Sequence, residues 1–323
     1  MKFVNEIYPY NFIMFLTVYI QLRRSMKRNY TKFRIFLRRL TFREKAGILI
    51  FFLLLLISLF QTTVDIKKNR IIKEKPGFVF KKIKIIYKPI HRITDIVPVN
   101  CSHVIPIVYT KVISLDSLPV EQKKRKFIDM VLPSILIQNF ELKQYRAFVH
   151  YIKKKLEEGK EILPQEQEII GNLLEKYNAD GLNELLTKLN VNPVSIVLAQ
   201  AAIESGWGSS RFFVQANNLF GVWTFDKKHA SKIKAKKANV YLKAYPNILE
   251  SVKDYYDSIN RGWAYKKFRL VRLKTDDPYL LTNHLEKYSI LRGIYVQRVK
   301  NIIKSNKLHK YDNCRISPDY VYQ

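Results

Sequence analysis

Acidic residues, cysteines and histidines are all scarce in this chain of 323 residues. It carries 27 Asp and Glu against 57 Lys and Arg, which gives a formal net charge of +30. Such a charge disfavours basic partners and favours acidic ones, such as nucleic acid, anionic lipid head groups or acidic wall polymers. General overuse of lysine is the alternative explanation, because the lysines are spread along the whole chain.

The only cysteines are Cys101 and Cys314, and the six histidines are scattered. No C-x-x-C pair occurs, so a structural zinc site is not expected, and neither is any other metal or cofactor. Two unpaired thiols are the favoured interpretation. A disulfide formed in an oxidising compartment remains the alternative, because sequence cannot show whether the two Cα atoms come close.

One long apolar run stands out. Residues 46–64 contain no charged side chain, and a helix needs roughly 20 apolar residues to cross a bilayer. No small-x-small cleavage pattern follows, which favours an uncleaved transmembrane anchor. Six Lys and Arg lie in residues 31–45 and five in residues 61–75, so the positive-inside rule favours a cytoplasmic N-terminus by one charge.

This anchor divides the chain into four predicted segments. They are a basic cytoplasmic segment (1–45), the anchor (46–64), a basic linker (65–100) and a folded body (101–323).

The body shows mainly helical periodicity. Residues 104–112 favour an extended stretch, whereas apolar residues at three- and four-residue steps predict a helix from Lys123 and a second helix ending near Leu156. Two further helices are predicted, from Pro164 to Tyr177 and from Leu182 to Leu189.

A helix that is apolar on all sides follows. Asn192 is typical of an N-cap and Pro193 of the first helical position. Residues 194–203 are apolar nearly all round, which indicates a helix buried inside a domain. Gly206 and Gly208 are expected to end it.

Glu204 is the one charged residue of this helix and lies in its last turn. A helix C-terminus disfavours a carboxylate, and apolar neighbours such as Ile203 and Trp207 desolvate it. Both effects predict a raised pKa, which suits a general acid. A Glu204 that turns out to solvent is the alternative.

Amides and aromatic rings follow Glu204 closely, and these side chains suit a sugar, since amides bind hydroxyl and acetamido groups while rings stack on the pyranose. The substrate-binding candidates are Asn217, Asn218, Trp207 and Trp223. Core packing or helix capping is the alternative for several side chains in this stretch.

Residues 198–212 read Leu-Ala-Gln-Ala-Ala-Ile-Glu-Ser-Gly-Trp-Gly-Ser-Ser-Arg-Phe, and residues 216–221 read Ala-Asn-Asn-Leu-Phe-Gly. These motifs resemble the signature of the bacterial glucosaminidases of glycoside hydrolase family 73, the mannosyl-glycoprotein endo-β-N-acetylglucosaminidase-like domains, and among them the Bax-type proteins. The resemblance covers about residues 120–305, with weaker motifs at 126–133 and 285–296.

The resemblance implies a mainly helical α+β fold, with a lysozyme-like body and a small β-lobe beside the cleft. Glu204 corresponds to the family's general acid, and Tyr288 to a tyrosine that lines the cleft. Tyr241 falls where relatives carry a Glu, and we include it among the substrate-binding candidates.

Family members often have a second carboxylate in the lobe, which we predict for residues 225–245. Between Glu204 and Glu250 this chain has a single acid, Asp226, among seven lysines. Three alternatives stay open. Asp226 is the second catalytic group, or the 2-acetamido group of the substrate acts as internal nucleophile with Tyr288 orienting it, or hydrolysis is lost. Three acids on one later helix are interpreted as a solvated face: Glu250, Asp254 and Asp257.

The sequence therefore predicts a peptidoglycan hydrolase of the endo-β-N-acetylglucosaminidase type that cleaves β-1,4 bonds of the glycan strand. We expect it in a bacterial inner membrane as a single-pass protein, with the catalytic domain in the periplasm or facing the cell wall. The alternative is a non-catalytic wall-glycan-binding or envelope-assembly protein on the same fold. Nucleic acid is not an expected partner, because no reading motif is present.

Overall fold

The computed structural model describes residues 77–224, 230–234 and 241–323, together with Thr41, Leu53, Leu55 and Leu56. Apart from three leucines, the predicted anchor lies outside the described residues, as does Asp226. No helix within the described ranges is long and apolar enough to cross a membrane. The chain divides into a small unit, Met1–Gly77 with Lys154–Leu163, and a large unit, Phe78–Lys153 with Pro164–Gln323.

Helices are the main elements of the described residues, as the sequence predicts. They are α1 Val120–Glu157, α2 Pro164–Tyr177, α3 Leu182–Lys188, α4 Val194–Ser205, α5 Arg211–Ala216, α6 Ile248–Arg261, α7 Lys266–Arg272, α8 Pro278–Thr282 and α9 Gly293–Ser305. The prediction for α2 is confirmed at both ends. The two helices predicted between Lys123 and Leu156 are in fact the single helix α1, which continues through Pro133.

Three small sheets accompany the helices. Their strands are β1 Lys82–Ile83, β2 Ile86–Pro89, β3 Ile107–Lys111, β4 Trp223–Thr224, β5 Ala230–Lys234, β6 Tyr241–Lys243 and β7 Val321–Tyr322. Strand β1 pairs antiparallel with β7, and β2 pairs parallel with β3. The third sheet is antiparallel with the order β4–β6–β5 and corresponds to the predicted β-lobe.

Two strands precede residue 101, and a disulfide closes the folded body. Strands β1 and β2 lie inside residues 65–100, the predicted linker. Cys101 and Cys314 are joined, with their Cα atoms 4.4 Å apart, and the expectation of two free thiols is therefore wrong. Backbone pairing beside the bridge, between Val104 and Ile316, brings together segments that lie far apart in the sequence.

Helix α4 is buried along nearly its whole length, as predicted. Its N-terminus is capped differently from the prediction, because the Asn192 side chain instead accepts a hydrogen bond from Arg272. The carboxylate of Asp312 accepts from the Ser195 amide at 2.7 Å and from the Ser195 hydroxyl at 2.8 Å. This cap comes from a 3-10 turn, Leu308–Asn313, more than 100 residues along the chain, and sequence offers no local signal for it.

Candidate active site

Glu204 lies in the last turn of α4, which ends at Gly206 in a left-handed conformation with φ 58°. Its carboxylate is half-buried and accepts a hydrogen bond from the Tyr295 hydroxyl at 3.1 Å. Burial raises the pKa of Glu204, while the Tyr295 hydrogen bond and the charge of Arg298 oppose that rise. The C-terminal end of the helix also disfavours the charged form. Glu204 therefore holds its proton to a higher pH than a free Glu.

A chain of buried hydrogen bonds holds Tyr295, the residue that donates to Glu204, in place. The Tyr255 hydroxyl of α6 donates to Gln200 Oε1 at 2.7 Å, and Gln200 Nε2 donates to the Tyr295 hydroxyl at 3.1 Å. All three side chains are nearly inaccessible to solvent. Because the Tyr295 oxygen accepts from Gln200, its hydrogen is free to point at Glu204.

Sequence reasoning assigned no role to Gln200 or to Tyr295, although Tyr295 lies in the weaker motif at 285–296. The available signal was Gln200 itself, a polar side chain one turn before Glu204 on an otherwise apolar helix. Residues four apart lie on the same face of a helix, and a buried amide there requires partners. Tyr295 carries no comparable local signal, because its role depends on how α9 packs against α4.

Tyr288 belongs to an aromatic cluster beside this hydrogen-bond chain. It lies in a 3-10 turn, Glu286–Tyr288, and its ring stacks on Tyr295 with centroids 5.3 Å apart. The rings of Tyr255 and Tyr265 each lie 6.3 Å away. Enclosure by these groups raises the pKa of Tyr288, so its hydroxyl stays neutral. Within the described ranges this hydroxyl has no hydrogen-bond partner, which leaves it available to a ligand.

The amides of Asn217 and Asn218 are engaged by the backbone. Asn217 Nδ2 donates to the carbonyls of Thr110 at 2.9 Å and Tyr245 at 3.0 Å. Asn218 donates to two carbonyls of the lobe, at 2.8 and 2.9 Å, and accepts from the Val222 amide at 2.9 Å. Both side chains are buried. These hydrogen bonds fasten the lobe to the helical body, and they engage the amides that the sequence suggests for binding a sugar.

The aromatic candidates divide into two kinds. Trp207 packs edge-on against Phe127 with centroids 5.5 Å apart and lies beneath Lys124, which is a packing role. Trp223 is 46% exposed on β4, at the edge of the lobe sheet. Tyr241 lies half-buried on the neighbouring strand β6. Trp223 and Tyr241 are therefore the two sequence candidates that lie on the lobe sheet.

The acidic face predicted on α6 is only partly a solvated face. Asp254 accepts from Lys243 Nζ at 2.8 Å and from the Tyr245 hydroxyl at 2.6 Å, and so ties α6 to the lobe. Lysines pair with the two other acids, Glu250 and Asp257. No cluster of His, Cys, Asp and Glu within the described ranges can hold a metal ion.

A family model described as glucosaminidase, mannosyl-glycoprotein endo-beta-N-acetylglucosaminidase, matches residues 179–308. That range includes Glu204, Tyr288 and Tyr295. Protein bax of Escherichia coli (strain K12) is 29% identical over 161 residues, which are 46% of this chain and 55% of that protein. Exo-glucosaminidase LytG of Bacillus subtilis (strain 168) is 36% identical over 97 residues, 27% of this chain and 34% of that protein.

The chain thus spans about half the length of the first relative and a third of the second. Among solved structures, the catalytic domain of the autolysin Auto from Listeria monocytogenes has 19% sequence identity and a TM-score of 0.36, covering 62% of this chain and 98% of that chain. The family match and the two curated relatives show that residues 179–308 are similar to glucosaminidase domains and that the chain resembles protein bax over about half of that protein's length.

Proposed function

We propose that this protein is a peptidoglycan hydrolase that cleaves β-1,4 glycosidic bonds of the glycan strand in the manner of an endo-β-N-acetylglucosaminidase, with Glu204 as general acid. The observation that carries the proposal is the state of Glu204, a fixed carboxyl with a raised pKa inside the matched domain. A glycosidase needs such a protonated carboxyl near neutral pH. A lysozyme-like body around this helix is part of the proposal.

In the proposed reaction, the Glu204 proton passes to the glycosidic oxygen while the bond from that oxygen to the anomeric carbon breaks. Positive charge then develops on the sugar ring. The Tyr295 hydroxyl donates to the carboxylate that remains, and Arg298 supplies a positive charge nearby. Both stabilise Glu204 after it has lost its proton.

The second catalytic group is either Asp226 or the 2-acetamido group of the substrate. The free, neutral hydroxyl of Tyr288 supports substrate assistance, because it can orient the acetamido group or the anomeric centre. The seven lysines of the lobe sequence support an ionised Asp226. We favour substrate assistance, since Asp226 follows Gly221 by only five residues, close to the start of the lobe.

A non-catalytic wall-glycan-binding or envelope-assembly protein is the second candidate function. The observation in its favour is that Asp226 is the single acid between Glu204 and Glu250. The experiment is to incubate the full chain with purified peptidoglycan and to identify the products by mass spectrometry. Soluble muropeptides support hydrolysis, and the sugar at their reducing end names the cleaved bond. Binding without any soluble product favours the second function.

We further propose that residues 46–64 anchor the chain in a bacterial inner membrane, with the catalytic domain in the periplasm or facing the wall. The uncharged run and the one-charge bias in its flanks support this topology. The disulfide between Cys101 and Cys314 supports an oxidising compartment. An alkaline phosphatase fused after Gln323 should be active. An inactive phosphatase with a working cytoplasmic reporter would contradict the topology.

A further inference from the structure

Trp263 is the most exposed large aromatic side chain among the described residues. It belongs to a 3-10 turn, Trp263–Tyr265, that follows α6, and 80% of its surface is accessible. An indole contributes to folding chiefly by being buried, and burying a large apolar side chain is favourable. The described fold buries little of this ring, so packing does not explain a tryptophan at this position.

The turn that carries Trp263 is held firmly in place. Arg269 Nη1 donates to the backbone carbonyls of Ile259 at 2.8 Å and Gly262 at 2.7 Å. A Cβ at Gly262 would lie 2.6 Å from the Ser258 carbonyl, so the chain approaches itself too closely there for a side chain. The backbone that carries Trp263 is therefore fixed, so less conformational entropy is lost when a ligand binds.

A lysine lies over the indole. Lys287 Nζ is 4.8 Å from the centroid of the Trp263 ring, a cation–π contact. Lys287 is itself exposed, and within the described ranges no carboxylate forms an ion pair with it. The pair thus offers an exposed aromatic ring and a positive charge in direct contact with each other.

Contacts between side chains connect this pair to Glu204. Lys287 immediately precedes Tyr288, and Tyr265 of the Trp263 turn lies 6.3 Å from the Tyr288 ring. Tyr288 stacks on Tyr295, whose hydroxyl donates to Glu204. The exposed pair therefore lies beside the candidate active site, on the side formed by Tyr288.

We propose that Trp263 and Lys287 form a subsite for a sugar unit that carries a carboxylate, as muramic acid does on its lactyl group or, where a peptide is attached to that group, on the peptide. The indole stacks on the apolar face of the pyranose ring, and the Lys287 ammonium pairs with the carboxylate. This inference rests on the proposed function for its choice of substrate. It deepens that function by making the protein prefer the acidic glycan of peptidoglycan to a neutral N-acetylglucosamine polymer.

The subsite is tested by measuring the affinity of a variant that lacks the proposed general acid and so does not cleave the ligand. The full chain with Glu204→Gln is titrated with soluble peptidoglycan glycan fragments and with N-acetylchitohexaose, a neutral oligomer of the same backbone. Adding Trp263→Ala should weaken both complexes about tenfold, and Trp263→Phe should recover most of that loss. Adding Lys287→Gln should weaken only the acidic complex, by up to about fivefold, and reduce its salt dependence.

Lys310→Gln is the matched control. Lys310 lies 4.9 Å from the centroid of the Tyr311 ring, in a similar cation–π contact. It belongs to the 3-10 turn that caps the N-terminus of α4, the opposite end of the helix from Glu204. Because this change removes the same charge at a distant place, it should leave both affinities unchanged. An equal effect of the two lysine variants would show a general charge effect and would overturn the subsite.

Unchanged affinity in the Trp263→Ala chain would also overturn the proposal, as would equal weakening of both ligands by Lys287→Gln. Unfolding midpoints of the variants should match that of the parent, since both side chains are exposed. Turnover is measured separately on the wild-type chain. If the wild-type chain releases no products but its Glu204→Gln variant binds through Trp263, the subsite proposal stands and only the proposed hydrolase activity is refuted.

Discussion

Replacing Tyr295 by Phe should move the alkaline limb of the pH–rate profile to higher pH. A general acid works only while protonated, so the rate falls as pH rises through the pKa of Glu204. The Tyr295 hydroxyl donates to the carboxylate and so favours the charged form. Its removal raises the pKa of Glu204 further, and the protonated form then persists to higher pH.

The size of this displacement follows from a single hydrogen bond. A hydrogen bond to a charged group contributes about 1.5–3 kcal/mol. The lower end applies here, because Glu204 is only half-buried and the bond is 3.1 Å long. Since about 1.4 kcal/mol corresponds to one pH unit, the limb should move by roughly one unit.

The assay is the release of soluble fragments from purified peptidoglycan across a pH series. Tyr256→Phe is the matched control, because the Tyr256 hydroxyl is also buried and donates a single hydrogen bond, to Asn139 at 2.7 Å, outside the chain that reaches Glu204. It should lower stability by a similar amount and leave the limb in place. A Tyr295→Phe profile with an unmoved limb, or one moved to lower pH, would refute the reasoning.

Three further results are expected. Replacing Cys101 and Cys314 together by Ser should lower the free energy of unfolding by about 5 kcal/mol, given a sequence separation of 213 residues; a loss below about 1 kcal/mol in urea would contradict this. Asn218→Ala leaves buried lobe groups unpaired and should cost about 2–3 kcal/mol in thermal unfolding, and an unchanged midpoint would argue against its fastening role. Tyr288→Phe should slow wall cleavage more than Asp226→Asn does, whereas the reverse order would restore a two-carboxylate mechanism.

Features of the fold that depend on neighbouring residues could be predicted from the sequence. The periodicity of α2 and the apolar surface of α4 are local patterns, and both helices lie where the sequence placed them to within a residue or so. The raised pKa expected of Glu204 was also a local inference, and the burial of its carboxylate in the fold does raise that pKa.

Features that depend on distant segments could not be predicted. The cap of α4 by Asp312 and the disulfide to Cys314 join segments far apart in the chain, and no local pattern encodes that pairing. Asn217 and Asn218 are a second example. Their chemistry suits a sugar, but a buried amide satisfies backbone carbonyls equally well, and only the fold shows that these two do so.

Glu204→Gln tests the central claim most directly. Gln keeps the shape of the side chain and can still accept from the Tyr295 hydroxyl, but it has no proton to give to a leaving oxygen. The measurement is the rate at which the full chain releases muropeptides from purified peptidoglycan, with unfolding followed in parallel. We predict a loss of about 10²–10⁴-fold in rate with an unfolding midpoint close to that of the wild type. A folded Glu204→Gln chain that lyses the wall at the wild-type rate would remove Glu204 from the mechanism.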